Sequence, residues 1–181
     1  DDYYLHDGVV RGDTLWGSHI NDGFQSAIDI SDKTNPQMMA SWNTPNNFSH
    51  NCWISDDGKY LFTTDEKQYA YIGAYDVSDL DNVTETDRIQ SNPGTGVIPH
   101  NTHFINNYAV TSYYADGVTI VDVSHPENIV EVGNFDTSPD YAGNDAGGFH
   151  GCWGVYPWLP SGLIIATDIE EGLLVLGTNY Q

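Results

Sequence analysis

The sequence predicts an all-β protein, a β-propeller with four blades of four antiparallel strands. Three features predict it. No window carries the i, i+3, i+4, i+7 apolar spacing of an amphipathic helix. A short Asp-centred apolar motif recurs three times. A histidine-led alternating strand recurs four times, at intervals close to the length of one propeller blade.

Composition agrees with many short strands. The 181 residues suffice for one sizeable core. Aromatic residues make up 13% of the chain, and with Thr, Val and Ile they suit half-buried pleated surfaces. The 18 Gly and 8 Pro supply the turns between strands.

The Asp-centred motif reads Ile28-Asp29-Ile30-Ser31, Tyr75-Asp76-Val77-Ser78 and Val121-Asp122-Val123-Ser124. Its Asp residues stand 47 and 46 positions apart. A turn and an outer strand follow each copy: Gln37–Trp42, Thr84–Ile89 and Val130–Phe135. The second register mark is a His opening an inner strand, at His6, His50, His100 and His150, with spacings of 44, 50 and 50. A polar turn and a second strand come next, as in Lys59–Thr64, Tyr108–Tyr113 and Gly162–Thr167. The blades therefore run over about 1–45, 46–96, 97–147 and 148–181. The last repeat stops after Leu173–Leu176 and lacks an outer strand. Either Asp1-Asp2-Tyr3-Tyr4 helps complete it and closes a four-bladed ring, or the blades are part of a larger propeller.

Charge restricts the partners. Twenty-six acidic residues face five basic ones, a formal net charge of -21. Such a surface repels nucleic acid phosphates and anionic membranes, and it attracts cations. No nucleic acid partner and no direct membrane insertion are expected, and no apolar run reaches spanning length.

Equivalent inner-strand positions in successive blades form a ring about the propeller axis, so His6, His50, His100 and His150 are expected near one mouth of the channel. Imidazole is the commonest protein ligand for zinc and copper. His103, three residues after His100, joins the candidate ligands. Asp65, Glu66 and Asp168 end second strands and can supply oxygen ligands or orient the imidazoles. Two readings stand side by side: a divalent transition metal, zinc or copper, or histidines that bond neighbouring backbone and fix the blade stagger. Cys52 and Cys152 each follow a row histidine by two positions and read as ligands or as small packing residues. His19 and His125 are expected at the surface. The acidic, Gly-rich loop over residues 136–148 can hold Ca²⁺ through carboxylates and carbonyls.

Three stretches resemble a known family: His50-Asn51-Cys52-Trp53-Ile54-Ser55-Asp56-Asp57-Gly58-Lys59-Tyr60-Leu61-Phe62-Thr63-Thr64-Asp65-Glu66, Gly117-Val118-Thr119-Ile120-Val121-Asp122-Val123-Ser124, and Trp153-Gly154-Val155-Tyr156-Pro157. In these the chain resembles LVIVD-repeat proteins, also described as choice-of-anchor B domain proteins. The resemblance implies a secreted bacterial β-propeller, often tethered to the cell surface by varied C-terminal anchors. Members are usually longer, so a processed or partial chain is expected. The family supplies a fold and a location rather than a reaction.

No nucleophile elbow, phosphate loop, CxxC pair or HExxH motif is present. The function expected first is an extracellular binding or scaffold module, with a protein partner or self-assembly at the cell surface. The alternative is a metal-dependent enzyme of oxidase or hydrolase type that uses the channel histidines.

Overall fold

The computed structural model describes residues 4–139 and 148–178. The part of the expected Ca²⁺ loop over 140–147, and residues 1–3 of the segment expected to complete the last blade, lie outside the described residues. Among the described residues there is no helix, and fifteen strands form four antiparallel sheets.

Each sheet is a meander. The first blade holds β1 (Asp7–Arg11), β2 (Thr14–His19), β3 (Phe24–Asp29) and β4 (Gln37–Asn43). The second holds β5 (Ser49–Ile54), β6 (Tyr60–Asp65), β7 (Ile72–Asp76) and β8 (Thr84–Ile89). The third holds β9 (Asn101–Ile105), β10 (Tyr108–Ser112), β11 (Val118–Asp122) and β12 (Val130–Phe135). The fourth has three strands, β13 (Cys152–Tyr156), β14 (Ile164–Asp168) and β15 (Gly172–Leu176).

The repeated Asp builds the turn that ends each third strand. Its Oδ1 accepts the backbone N–H two residues on: Ser31 on Asp29 at 2.8 Å, Ser78 on Asp76 and Ser124 on Asp122 at 2.9 Å. This Asx geometry breaks the strand and starts the outer connection. The Ser31 N–H bond holds the Asp29 carboxyl below the usual range, and contacts with Ser124 do the same for Asp122. In all three complete blades the pairing of third with fourth strand slips at the same place, Ala27/Ile28, Ala74/Tyr75 and Ile120/Val121. That shared bulge sharpens the twist blades need to stack. Between β9 and β10, Asn106 and Asn107 both adopt positive φ, as a two-residue hairpin turn requires.

Blades pack face to face through three apolar clusters. Trp16 and Ala27 of the first blade meet Cys52, Ile54 and Leu61 of the second. Phe62 and Ile72 of the second meet Phe104, Ala109 and Val121 of the third. Val110 and Val118 of the third meet Cys152, Ile164 and Ala166 of the fourth. The strong contacts between inner strands run in chain order, β1 with β5, β5 with β9, and β9 with β13. No contact of that strength joins the fourth blade to the first among the described residues.

Gly117 fixes the entry to β11. Its φ is +75°, and a Cβ there would stand 2.0 Å from the Phe135 carbonyl oxygen. Gly117→Ala is expected to cost about 2 kcal/mol, from left-handed strain plus the displaced β12 backbone. Thermal melts should place the variant roughly 4–8 °C below wild type, given about 2–4 °C per kcal/mol for a chain of this size.

Candidate metal centre

Strand register decides which residues share the ring position. In the second blade Ser49 pairs with Asp65 and Asn51 with Thr64, leaving His50 in a bulge between them. In the first and third blades His6 and His100 immediately precede the paired Asp7 and Asn101. In the fourth, Cys152 pairs with Asp168 and Gly154 with Thr167, so the bulged residue is Trp153. Trp153, not His150, therefore holds the fourth ring position. The row reads His6, His50, His100, Trp153, with successive ring centroids 4.4, 4.6 and 5.3 Å apart.

The displacement of His150 has a local cause. Tyr114 and Cys152 exchange backbone hydrogen bonds of 3.0 and 2.9 Å, which pins the chain beside the third blade. Gly151 makes the approach possible: at φ +83°, a Cβ there would stand 2.5 Å from the Tyr114 carbonyl oxygen. His150, just before this bridge, turns to Glu170, Nδ1 to Oε1 at 3.4 Å. The same shift separates the cysteines. Cys52 lies in the core between the first two blades and Cys152 between the last two. Both thiols are free, and burial pushes each up to about 12, so neither offers a thiolate at neutral pH.

Three candidates converge. His50 Nε2 stands 3.4 Å from Glu66 Oε2, and His100 Nε2 stands 3.7 Å from Glu66 Oε1. One ligand atom from each of the three lies within 4.8 Å of the others. Both imidazoles are buried, at 5% and 3% exposure. Burial, then the charge of the neighbouring histidine, lowers each to about 4, so both are neutral near pH 7. These contacts are thus not ion pairs.

The other ring nitrogens fix the tautomer. His50 Nδ1 donates to the His100 carbonyl at 3.1 Å, and His100 Nδ1 donates to the Trp153 carbonyl. Hydroxyls of Thr64 and Ser112 donate to the same two carbonyls at 2.5 and 3.2 Å. With both protons committed to backbone, both Nε2 lone pairs face one carboxylate. The Tyr114 hydroxyl donates to Glu66 Oε1 at 2.6 Å. The Glu66 hydrogen bond, after burial, pushes that phenol far above its ordinary value. Two lone pairs and a carboxylate in this arrangement make a candidate cation site, with each imidazole oriented by a backbone acceptor as in metal proteins. Tetrahedral zinc at ordinary bond lengths separates its ligand atoms by about 3.3 Å, and the two histidine–carboxylate approaches here are 3.4 and 3.7 Å, with the three ligand atoms within 4.8 Å of one another. His6 is exposed and lies beside His50, ring centroids 4.4 Å apart, outside this group of three.

The remaining candidates stand elsewhere. Asp65 is buried and turned into the linker between the first two blades. It accepts the Thr44 hydroxyl at 2.5 Å and the Asn46 and Phe48 N–H groups at 2.6 and 3.1 Å. Asp168 accepts the Ser138 hydroxyl at 2.6 Å and the Glu170 and Glu171 N–H groups at 2.9 Å. Both carboxylates tie connecting segments to second strands. His103 sits between the Trp53 and Trp158 rings, at 4.8 and 5.0 Å, and burial lowers it to about 4. His19 is buried rather than at the surface: it stacks on Phe24 at 4.2 Å and meets the Ser26 hydroxyl at 2.9 Å. His125 is exposed, as expected. Sequence reasoning missed Tyr114 and the ring place of Trp153. Tyr114 holds the same register place as Glu66, one blade on, and that is the signal that identifies it.

The LVIVD repeat family model matches residues 26–44 and 105–137. No curated protein matches the chain by sequence. Among solved structures, the periplasmic gluconolactonase PpgL of Pseudomonas aeruginosa is similar over 98% of this chain and 51% of its own, at 12% identity and a TM-score of 0.78. The Cps50 (Swd1) β-propeller domain of Myceliophteria thermophila matches over 93% of this chain and 49% of its own, at 14% identity and a TM-score of 0.66. The computationally designed Ika4 protein matches over 99% of this chain and 94% of its own, at 8% identity and a TM-score of 0.70. The chain spans about half the length of the two natural propellers, and the likeness shows a common fold.

Proposed function

Starting from a chain that carries LVIVD repeats on a β-propeller scaffold, we propose that it is an extracytoplasmic binding module that holds one divalent transition metal at its channel mouth. The ligands are His50 Nε2, His100 Nε2 and the Glu66 carboxylate, with His6 at the rim. One observation carries the reading: both Nδ1 protons go to backbone carbonyls, which leaves two lone pairs and a carboxylate facing each other. Neutral nitrogen with one carboxylate suits zinc or copper better than calcium or magnesium, which prefer all-oxygen shells. The strongly acidic surface draws cations toward the mouth. The extracytoplasmic placement rests on the repeat and on the periplasmic description of one structural neighbour. No helix among the described residues is long and apolar enough to cross a membrane.

The test is metal analysis of protein purified without a histidine tag. About one equivalent of zinc or copper is expected, lost in the His50→Ala, His100→Ala double variant while circular dichroism stays that of wild type. Wild-type protein that takes up no metal from micromolar zinc or copper, and melts identically with and without a chelator, defeats the proposal.

A second reading follows from the open coordination. Zinc held by His50, His100 and Glu66 would keep an open position and would supply Lewis-acid activation suited to ester hydrolysis, and one structural neighbour is described as a gluconolactonase. Zinc-dependent hydrolysis of a sugar lactone that disappears in Glu66→Ala would support this reading. A metal-loaded protein inert toward lactones would leave binding alone.

A further inference from the structure

We propose that the groove between the second and third blades receives an arginine side chain of a partner protein. The chain itself shows how this repeat fills such a groove. Between the first and second blades, a groove of about 220 Å³ has Arg11 and Trp16 on one wall and Ile54 on the other. Arg11 crosses it: Nη1 donates to the Ser55 carbonyl at 2.7 Å and Nη2 to the Asp56 carbonyl at 2.6 Å. The planar fork of a guanidinium thus joins one blade to the next.

The following groove has the same construction without the arginine. Val9 pairs with Trp16 and Trp53 with Phe62, so Ser55, two places after Trp53, stands where Arg11 stands one blade earlier. Phe62 and Phe104 take the places of Trp16 and Ile54 and stack with centroids 5.8 Å apart. The Ser55 hydroxyl donates to Asp57 at 2.7 Å, within its own hairpin. With serine at this place the groove holds about 490 Å³, a volume typical of ligand sites. Both walls belong to blades whose four strands are all described, so the groove is complete within them. It stands at the end of β5 opposite His50, apart from the metal ligands.

Charge selects the occupant. Asp56, Asp57 and Glu127 line the groove, against Lys59, which faces Asp57 at 3.8 Å, and His125. Burial, then the charges of Asp76, Glu127 and Asp57, raises the Tyr60 phenol on the groove wall above its ordinary value, so the field there is negative. These acids do not converge as metal ligands do. Among the described residues, the cluster whose ligand atoms meet within 4.8 Å is His50, Glu66 and His100. Carboxylates spread beside an aromatic wall suit an extended, planar cation, which can stack on the Tyr60 ring and fork onto carboxylate oxygens. A second copy of this chain is a poor source of one, with 5 basic residues against 26 acidic ones.

The probe is a Gly/Ser peptide with capped ends and one central arginine, titrated to millimolar concentration into the whole isotope-labelled chain with chelator present. Amide shifts are expected in residues 55–60 and 123–127. The exposed double variant Asp56→Asn, Glu127→Gln should bind about tenfold more weakly. Ser55→Arg supplies from within the side chain that Arg11 supplies next door, and should abolish peptide binding while circular dichroism stays that of wild type. Citrulline in place of arginine should not bind, and lysine should bind at least about threefold more weakly. No shifts at millimolar peptide, shifts scattered over the acidic surface, equal binding of the citrulline or lysine peptide, or full affinity in the folded double variant would each overturn the proposal.

Discussion

Glu66→Gln is expected to raise the melting temperature of the metal-free protein and to lower its zinc affinity by more than about 100-fold. The two effects have one source. Without metal, Glu66 Oε2 faces the Nε2 lone pair of a neutral His50 at 3.4 Å, acceptor against acceptor in a buried place. Glutamine keeps the oxygen that accepts the Tyr114 hydroxyl and turns an N–H donor toward His50. Removing a buried repulsion and adding a hydrogen bond should contribute about 1–2 kcal/mol, a rise of roughly 2–8 °C in chelator. A neutral amide oxygen is a much weaker donor to a divalent transition metal than a carboxylate. Calorimetry with and without zinc separates this from a purely structural role, in which Glu66→Gln would lower the melting temperature and leave metal uptake unchanged.

The metal-free protein is expected to lose stability steeply between pH 6.5 and pH 4. His50, His100 and His103 are each lowered to about 4 in the folded chain, by burial first. In the unfolded chain each titrates near 6.5. Between these values the unfolded state binds more protons, so stability rises with pH and is lost as pH falls. Each histidine contributes at most about 1.4 kcal/mol per pH unit in that window, several kcal/mol together. Asp65 opposes this modestly, because burial outweighs its hydrogen bonds and raises its carboxyl. Urea midpoints measured from pH 7 to pH 4 should fall throughout, and His103→Phe should flatten the slope. A flat profile over this range would contradict the burial of these rings.

The fold was legible because the repeat writes it twice. The Asp motif marks the end of each third strand, and the turn expected after it forms as an Asx turn. The histidine marks the inner strand in blades one to three, where sequence spacing and register agree. In the fourth blade they part by three residues. His150 keeps the expected spacing by sequence, but the Tyr114–Cys152 bridge sets the register and brings Trp153 into the ring. Backbone pairing across blades is invisible to spacing, whereas Tyr114 is found by aligning it with Glu66 one blade earlier. Asp65 and Glu66 looked alike as strand-end acids. The alternation of the chain sends the first into a linker and the second to the imidazoles, a choice that needs the strand's exact phase.

The clamp on each imidazole has a mechanical meaning as well. One nitrogen of His50 grips the backbone of the third blade, and one of His100 grips that of the fourth. Their other nitrogens meet at Glu66, which the second blade carries. A single ion there would tie the hubs of the second and third blades together, with the fourth held through the His100 clamp, so chelation would stiffen the spacing of these blades. Whatever occupies the hub sets how stiffly the spokes stand.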